Sequence, residues 1–268
     1  MATDDPLYKK KRKALSSAFF KSKMEMITHT VKQTVLKTFY ELQQKGDENE
    51  VVLEKFTSMV QSHLIMSILV GQEYSFRTLK HQNVVTGEVR EITLGDFMDL
   101  IFKDVIARIS KNPLIITKIV TLETEMLPSD RRYVKNCLAL RNFVAQIIDE
   151  KKASKLTDPS DFLALLLQDE SYQEREDVID DIIILFLAGA ETVQGTTTNF
   201  ITTMAHEPAA YKRLREEVDP FMQRVQDNIM EKMTLEGVED LEYVKMCYQE
   251  VLRRDAPAAV STMNSVTK

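Results

Sequence analysis

Residues 182–203 constrain the fold more than any other part of the chain. They begin with nine consecutive residues that carry no polar side chain, at positions 182–190. A helix that is apolar on all of its sides belongs in the interior of a fold, and this run is far shorter than the roughly 20 residues that cross a bilayer. The pattern therefore predicts a long helix from about residue 176 to residue 205, buried on all sides at the centre of the molecule.

Other segments indicate that further helices surround this central one. The chain has 268 residues, enough to bury a core, and only seven Gly and seven Pro interrupt stretches rich in Leu, Ile, Lys, Glu and Met. Asp161 stands where a side chain can cap the helix that follows. Residues 82–94, which alternate in polarity around Thr86-Gly87, predict one small β-hairpin. The expected fold class is mainly α, with helices over residues 6–45 (two helices), 51–70, 96–110, 128–152, 176–205, 208–222 and 239–254.

Charge and cysteine content exclude several classes of function. The net charge of −6 gives no reason to expect a nucleic-acid partner. Cys137 and Cys247 are far apart without a CxxC spacing, so neither a disulfide framework nor a zinc site is expected. The first residues lack the apolar stretch of a signal peptide, and we expect a soluble, cytoplasmic chain without a membrane anchor. The scattered histidines are interpreted as structural or surface residues and not as metal ligands: His29, His63, His81 and His206.

Three residues place a polar site next to the apolar run of the central helix. Gly189 inside a helix costs roughly 1 kcal/mol relative to Ala, and the Glu191 carboxylate is costly to bury unless it is paired, solvated or used. Thr192 can donate a hydrogen bond to the carbonyl of Ala188, which bends a helix. One interpretation is a kinked helix with a groove, an acid and a hydroxyl together. The other is that Gly189 marks close packing and Glu191 meets solvent; the residues leave both open.

Two further patterns are weaker when each is taken alone. Glu250 and Arg253 are three residues apart, which places them on one helix face within ion-pair reach. An ordinary surface pair has the same spacing. The basic run between Tyr8 and Arg12 is typical of a solvated helix face, and a nuclear-import patch is another interpretation.

The order of these motifs resembles that of the cytochrome P-450 family. Residues 188–192, AGAET, are similar to the family's (A/G)Gx(D/E)T pattern in its oxygen-binding helix. Residues 240–257 resemble the ExxR helix, and the segment YKKKRKALSSAFF is similar to the WxxxR helix, with Tyr8 where Trp is usual. The resemblance covers most of the chain. It predicts that residues 1–268 form a single incomplete P-450 domain, the central helical part of that fold, truncated at both ends.

The resemblance implies a heme enzyme that inserts oxygen into an apolar organic substrate. In this family a cysteine thiolate binds the heme iron. Thr192 and Glu191 would help to deliver protons during oxygen activation, and a flavoprotein reductase would supply electrons. A full-length member could lie at the endoplasmic-reticulum membrane. Ala188 and Gly189 would line an oxygen groove. Arg12 and Tyr8 would contact a heme propionate. Glu250 and Arg253 would form a structural ion pair.

The family's FxxGxRxC segment, which carries the axial cysteine, does not occur in this sequence. Cys137 and Cys247 lie in helical patterns instead. We therefore expect the chain as given to be inactive and to expose an apolar surface, which would make it poorly soluble or molten. Three hypotheses follow: a fragment or pseudogene product of a monooxygenase, a non-catalytic helical scaffold that binds a partner or an apolar ligand, or a protein that binds heme without a thiolate.

Overall fold

The computed structural model describes residues 6–17, 21–44, 52–111, 127–154, 161–172 and 174–257. Within these ranges the chain forms twelve α-helices and one two-stranded antiparallel sheet. The helices are α1 Pro6–Ser17, α2 Lys21–Gln44, α3 Leu53–Val70, α4 Gln72–Ser75, α5 Leu94–Lys111, α6 Pro128–Ala153, α7 Phe162–Gln168, α8 Arg175–His206, α9 Pro208–Val225, α10 Ile229–Lys232, α11 Leu235–Glu239 and α12 Glu242–Arg254. The strands are β1 Thr78–Gln82 and β2 Val89–Thr93, between α4 and α5.

The mainly α fold class and the predicted helices are confirmed. Asp161 caps α7 as expected, because its side chain accepts a hydrogen bond from the backbone N–H of Ala164 at 3.0 Å. The turn expected just before it, at residues 158–160, lies outside the described residues. The sequence pattern left the stretch between α9 and α12 without a predicted element, and α10 and α11 form there. Both are single turns that begin at a side-chain cap, Asn228 and Thr234 respectively.

The β-hairpin is confirmed, but the prediction placed its first strand wrongly. The predicted range of residues 82–94 contains β2 and the turn, but only the last residue of β1. The sequence of β1, Thr-Leu-Lys-His-Gln, shows little apolar alternation, and pairing with β2 decides its conformation. Gly87 in the connecting turn has a φ of +79°, in the left-handed region that glycine adopts without steric penalty.

Helix α8 runs through the core and packs chiefly against α3, with α6 and α7 also in contact. Ile179, Ile182 and Phe186 are buried on this covered face. Ile184 points the other way and is 51% exposed, so no described residue covers α8 fully on that side. Burial on all sides does not hold among the described residues, and the uncovered side agrees with the apolar surface that the chain as given was expected to expose. The hydrophobicity of a helix does not determine how many other helices pack around it. Here the described helices cover one side of α8.

A smaller apolar cluster joins the C-terminal half of α8 to α9 and α12. It includes Met204 of α8 and Cys247 of α12. The Glu217 carboxylate of α9 accepts hydrogen bonds from the backbone N–H groups of Tyr243 and Val244, at 3.1 and 3.0 Å. The first N–H groups of a helix have no partner within it. Glu217 therefore fixes where α12 begins and how its side chains are oriented.

Helices α3 and α8 approach each other closely at Gly189. A Cβ placed on Gly189 would lie 2.7 Å from Cδ1 of Ile65 and 3.1 Å from its Cγ1. A carbon atom cannot approach another so closely, so a larger residue would force Ile65 to move. Gly189 thus marks close helix packing, which was one of the two interpretations of the sequence. At Gly195, two turns later in the same helix, the one described atom near the corresponding position is Cβ of Pro257, at 3.7 Å.

A buried ion pair links α6 to the start of α7. Nζ of Lys151 lies 2.6 Å from Oδ2 of Asp161, and the two side chains are 5% and 1% exposed. The ammonium group also lies 5.0 Å from the centroid of the Tyr74 ring in α4. Because the other carboxylate oxygen of Asp161 caps α7, this one pair positions three helices.

Replacing Lys151 with Met should lower the free energy of unfolding by about 3–5 kcal/mol, because the Asp161 carboxylate would stay buried without its partner. Urea unfolding followed by circular dichroism measures this change. Lys232→Met is the matched control, since it removes an exposed pair with Asp227 and should change stability little. A loss no larger than that of the control would contradict the structural role of the buried pair.

Replacing Gly189 with Ala should destabilise the protein by about 1–3 kcal/mol, because Ile65 must leave its place against α8. Gly195→Ala is the matched control and should stabilise the protein by about 0.5–1 kcal/mol, because alanine has less conformational freedom to lose. Adding Ile65→Val removes the nearest atom, so the effect of Gly189→Ala should shrink in that background. Equal effects at the two glycines in urea unfolding would show that the α3–α8 contact is not tight.

Candidate functional site

A stripe of small and apolar residues runs along the uncovered side of α8. Positions 184, 188, 192 and 195 are three or four residues apart, so they share one face of the helix. Ile184 and Ala188 are exposed and Thr192 is half-buried. We call Ile184, Ala188, Thr192 and Gly195 the open face of α8. It offers an accessible apolar surface with one hydroxyl group.

Two contacts mark the ends of the open face. At its N-terminal end, Nζ of Lys11 in α1 lies 3.1 Å from the carboxylate of Asp177, and 3.9 Å from that of Asp181. At its C-terminal end, Pro257 lies beside Gly195. The helix rises about 21 Å between Asp181 and Gly195, at about 1.5 Å per residue. Helix α1 and the segment after α12 therefore bracket an extended surface along α8.

The hydrogen bond predicted for Thr192 is present. Its Oγ1 donates to the carbonyl oxygen of Ala188 at 2.7 Å. Because a hydroxyl group has one hydrogen and two lone pairs, Oγ1 can still accept a hydrogen bond from a group on the open face. Gly189 lies on a different side of α8, against Ile65 of α3. Of the two residues assigned to the oxygen groove, the structure therefore places only Ala188 on the open face.

Glu191 lies next to Thr192 and is half-buried. Burial is the largest cause that raises the pKa of its carboxyl group, and the negative charge of Asp99 raises it further. The positive charge of Lys103 acts in the opposite direction, and Glu54 adds a smaller increase. A raised pKa means that the neutral, proton-carrying form of Glu191 persists to higher pH than that of an ordinary glutamate. The acid and the hydroxyl predicted from the sequence are thus adjacent, and the pKa of the acid is raised.

Arg12 and Tyr8 both lie in α1, one helical turn apart. Arg12 is exposed and directly follows Lys11, the residue that fastens α1 to α8. Lys11 is indistinguishable from its basic neighbours in the sequence, because only the approach of an acidic partner from another helix sets it apart. The assignment of Arg12 and Tyr8 to a heme propionate stays a prediction.

Glu250 and Arg253 form the ion pair that their spacing predicts. Nε and Nη2 of Arg253 donate to the two carboxylate oxygens of Glu250 at 2.7 and 2.6 Å. The side chains are 55% and 69% exposed, and the hydrogen bonds from Arg253 hold the pKa of Glu250 below its usual value. Glu250 also borders a groove of about 290 Å³ between α8, α9 and α12, whose apolar lining includes Met246 and Val251.

In the family that the sequence resembles, the heme iron is bound by a cysteine thiolate, so the positions of the two thiol groups matter. Cys137 is half-buried in α6, where burial raises the pKa of its thiol and so disfavours the thiolate. Cys247 is buried in the cluster between α8, α9 and α12. Neither lies on the open face. The described residues hold no cluster of three His, Cys, Asp or Glu side chains arranged for a metal ion. The described residues of the open face could pack against a flat cofactor such as heme, but none of them is a ligand for its iron.

A helix that crosses a bilayer must be both long and apolar, and this requirement applies to each of the described helices. None of them combines the length and the hydropathy needed to cross a bilayer. Even α8, the longest, carries charged residues in its first turns.

Sequence comparison links the whole chain to cytochromes P-450. The family model described as Cytochrome P-450 matches residues 1–268. Cytochrome P-450 3A6 of Oryctolagus cuniculus is 23% identical over 262 residues, which make up 94% of this chain and 49% of that protein. Cytochrome P-450 716A2 of Arabidopsis thaliana is 31% identical over 139 residues, 50% of this chain and 29% of that protein.

Solved structures share the fold. A mutant heme domain of cytochrome P-450DA has a TM-score of 0.70 at 18% identity, covering 94% of this chain and 51% of that one. A retinoic acid-bound cyanobacterial CYP120A1 has a TM-score of 0.61 at 18% identity, covering 92% and 48%. The chain thus spans about half or less of the length of these relatives. Because the family model matches it from end to end and the helical arrangement agrees, this chain belongs to the cytochrome P-450 family.

Proposed function

We propose that the chain forms the helical wall of a monooxygenase site that inserts oxygen into an apolar organic substrate, with heme as the cofactor. The observation that carries this proposal is the open face of α8. There an accessible apolar stripe meets the Thr192 hydroxyl and lies next to Glu191, whose carboxyl pKa is raised by burial. Membership of the cytochrome P-450 family supports the same chemistry. On this proposal, residues 1–268 are part of a single P-450 domain.

Heme, when bound, supplies the activation of oxygen, and the open face would hold one side of it. Ile184 and Ala188 are exposed and apolar, so they can lie against a flat macrocycle or an apolar substrate without burying unpaired polar groups. Arg12 follows Lys11 in α1, the helix that contacts one end of the open face, and would interact with a propionate through its positive charge, with Tyr8 one turn away in the same helix. Glu250 and Arg253 would be structural, and Gly189 would set the distance between α8 and α3.

Thr192 and Glu191 would act on protons. The Thr192 hydroxyl is fixed by its bond to Ala188 and presents lone pairs toward the open face. Glu191 keeps its proton to higher pH than usual because of burial and the charge of Asp99. A carboxyl group with a pKa nearer to the working pH is a better general acid. The pair would therefore donate protons at the open face.

A flavoprotein reductase is the proposed source of electrons. The exposed side of α1 is strongly basic, through Lys9, Lys10, Arg12 and Lys13, and a basic surface favours an acidic partner. One relative bears the name bifunctional cytochrome P-450/NADPH–P-450 reductase, from Aspergillus oryzae, and is 27% identical over 149 residues. We further propose a cytoplasmic location for the chain as encoded, and attachment to the endoplasmic reticulum for a longer form.

We also propose that these 268 residues do not bind heme iron through a thiolate. A hemin titration of the chain, followed by reduction and addition of carbon monoxide, should give no heme-thiolate absorption band. The Cys137→Ser and Cys247→Ser variants should behave like the parent chain, because neither thiol lies on the open face. A saturable thiolate band that one of these two variants abolishes would contradict the proposal and identify the ligand.

The experiment that tests the monooxygenase proposal starts from the transcript. Sequencing it from its start past the codon for Lys268, and expressing the complete frame, should yield an FxxGxRxC segment and a product with the heme-thiolate band. A frame that stops at Lys268, with a product that shows no such band, would contradict the proposal. The exposed apolar stripe would then favour the non-catalytic scaffold that binds a partner or an apolar ligand.

In a heme-loaded product of that frame, Thr192→Ala should lower the yield of oxidised substrate per reducing equivalent by on the order of 10²-fold, because proton delivery at the open face fails. Thr197→Ala is the matched control. Its hydroxyl makes the same kind of bond, to the carbonyl of Val193 at 2.8 Å, but lies off the open face. Product yield and peroxide release measure the effect, and equal losses in both variants would argue against a role for Thr192.

A further inference from the structure

The outer edge of strand β2 is formed by backbone groups that point away from β1. In an antiparallel pair, successive residues direct their N–H and C=O groups alternately toward the partner strand and away from it. The backbone N–H of Leu94 donates to the carbonyl oxygen of Arg77 at 2.8 Å, one position beyond the paired strands. Counting back from this bonded pair, the backbone groups of Val89, Glu91 and Thr93 are the ones that point outward.

The outer edge of β1 shows how such groups are satisfied elsewhere in the hairpin. The same alternation turns Gln82 outward, and the side chain of Asn136 in α6 binds both of its backbone groups. The N–H of Gln82 donates to Oδ1 of Asn136 at 3.0 Å, and Nδ2 of Asn136 donates to the carbonyl oxygen of Gln82 at 2.7 Å. Asn136 thus takes the place of a neighbouring strand. Within the described ranges, no residue does the same for the outward backbone groups of Val89, Glu91 and Thr93.

The hairpin is fastened to α6 near its tip and near its base, so this edge has a fixed position. At the tip, Nη1 of Arg132 donates to the carbonyl oxygens of Val84 and Val85 at 3.1 and 2.9 Å. At the base, Nη1 of Arg77 donates to the two carboxylate oxygens of Glu150 at 3.0 and 2.8 Å. An edge that is already held in an extended conformation loses less entropy when another strand pairs with it.

Two exposed side chains lie along this edge. Val89 is 54% exposed, and Glu91 is exposed as well. Side chains alternate along a strand, so both lie on the same face of the hairpin. In the register of the pair, Glu91 stands opposite Lys80 of β1. A third strand would place its own residue opposite Glu91 on the other side, where a cation is favoured and an anion is disfavoured.

A second copy of β2 is a poor match for this edge. Outward residues can pair only with outward residues, so the register that overlaps two antiparallel copies of β2 completely sets Glu91 opposite Glu91. Like charges directly opposite each other destabilise a strand pair, and charged side chains on an edge strand oppose self-association. The charge that disfavours a second copy favours a basic partner.

We propose that the outer edge of β2 is a docking site for an extended segment of a partner protein, which adds a third, antiparallel strand to the hairpin. That segment carries a lysine or arginine opposite Glu91 and an apolar residue opposite Val89. Backbone hydrogen bonds supply most of the affinity, and these two side-chain positions supply the specificity. The site lies on the hairpin and not on the open face of α8, so it is a second interaction surface that does not depend on the proposed oxygen chemistry.

The probe for this site is a fluorescein-labelled peptide, Thr-Val-Thr-Lys-Thr-Val-Thr, whose lysine can stand opposite Glu91 while a valine stands opposite Val89. Fluorescence anisotropy with the 268-residue chain should show saturable binding. The same peptide with glutamate in place of lysine should bind about fivefold more weakly. Glu91→Lys should invert this preference. Glu73→Lys, the same change at an exposed glutamate of α4, is the matched control and should leave the preference as it is in the parent chain.

Glu91→Pro tests the backbone part of the interaction. It removes an N–H that points away from β1, a position at which an edge strand tolerates proline, so the hairpin should persist while the peptide no longer binds. Hydrogen exchange followed by mass spectrometry should show protection of residues 89–93 by the peptide in the parent chain, and no such protection in Glu91→Pro.

Absence of saturable binding by the parent chain would overturn the proposal, as would equal affinities for the two peptides or a preference that Glu91→Lys leaves unchanged. A dimer of the parent chain that Glu91→Pro dissociates in sedimentation would also overturn it, because a second copy would then occupy the edge. Glu91→Lys keeps the backbone intact, so the charge test decides the matter if Glu91→Pro does not fold. These measurements need no heme, so their failure is distinct from the absence of a heme-thiolate band in the complete frame.

Discussion

The close approach of α3 to α8 places the central helix in the core. It exists because residue 189 has no side chain, which lets Ile65 occupy the space where a Cβ would stand. With α3 against it, α8 has one covered side, completed by α6 and α7, and one open side. From the same helix, Ser58 donates a hydrogen bond to Asp99 of α5, whose negative charge raises the pKa of Glu191.

This arrangement gives one helix two different environments. On the covered side, Ile182 and Phe186 are fully buried and contribute to the core. On the open side, Ala188 and Thr192 are accessible over the span between α1 and Pro257. A surface of this kind suits a flat apolar ligand, which agrees with the family to which the chain belongs. The acid stands at the border between the two environments, where partial burial favours its neutral form.

The sequence predicted the helices well because each carries its own apolar period, and it predicted the caps and ion pairs that depend on nearby positions. Asp161, the bond from Thr192 to Ala188, and the pair of Glu250 with Arg253 are all of this local kind. It did not predict β1, whose conformation depends on pairing with β2. Nor did it predict which side of α8 is covered, since nine apolar residues in a row carry no directional information.

The residue pattern was enough to predict the central helix, its order among the other helices, and the AGAET motif that places an acid beside a hydroxyl. These features depend on residues within one or two helical turns of each other, where spacing fixes geometry. Tertiary structure alone decided that Gly189 faces α3 while Ala188 faces outward, that Lys11 among its basic neighbours pairs with α8, and that Lys103 is held by Asp99. Each of these depends on the approach of a segment distant in sequence, and the charges and close contacts that result do not exist until the helices pack.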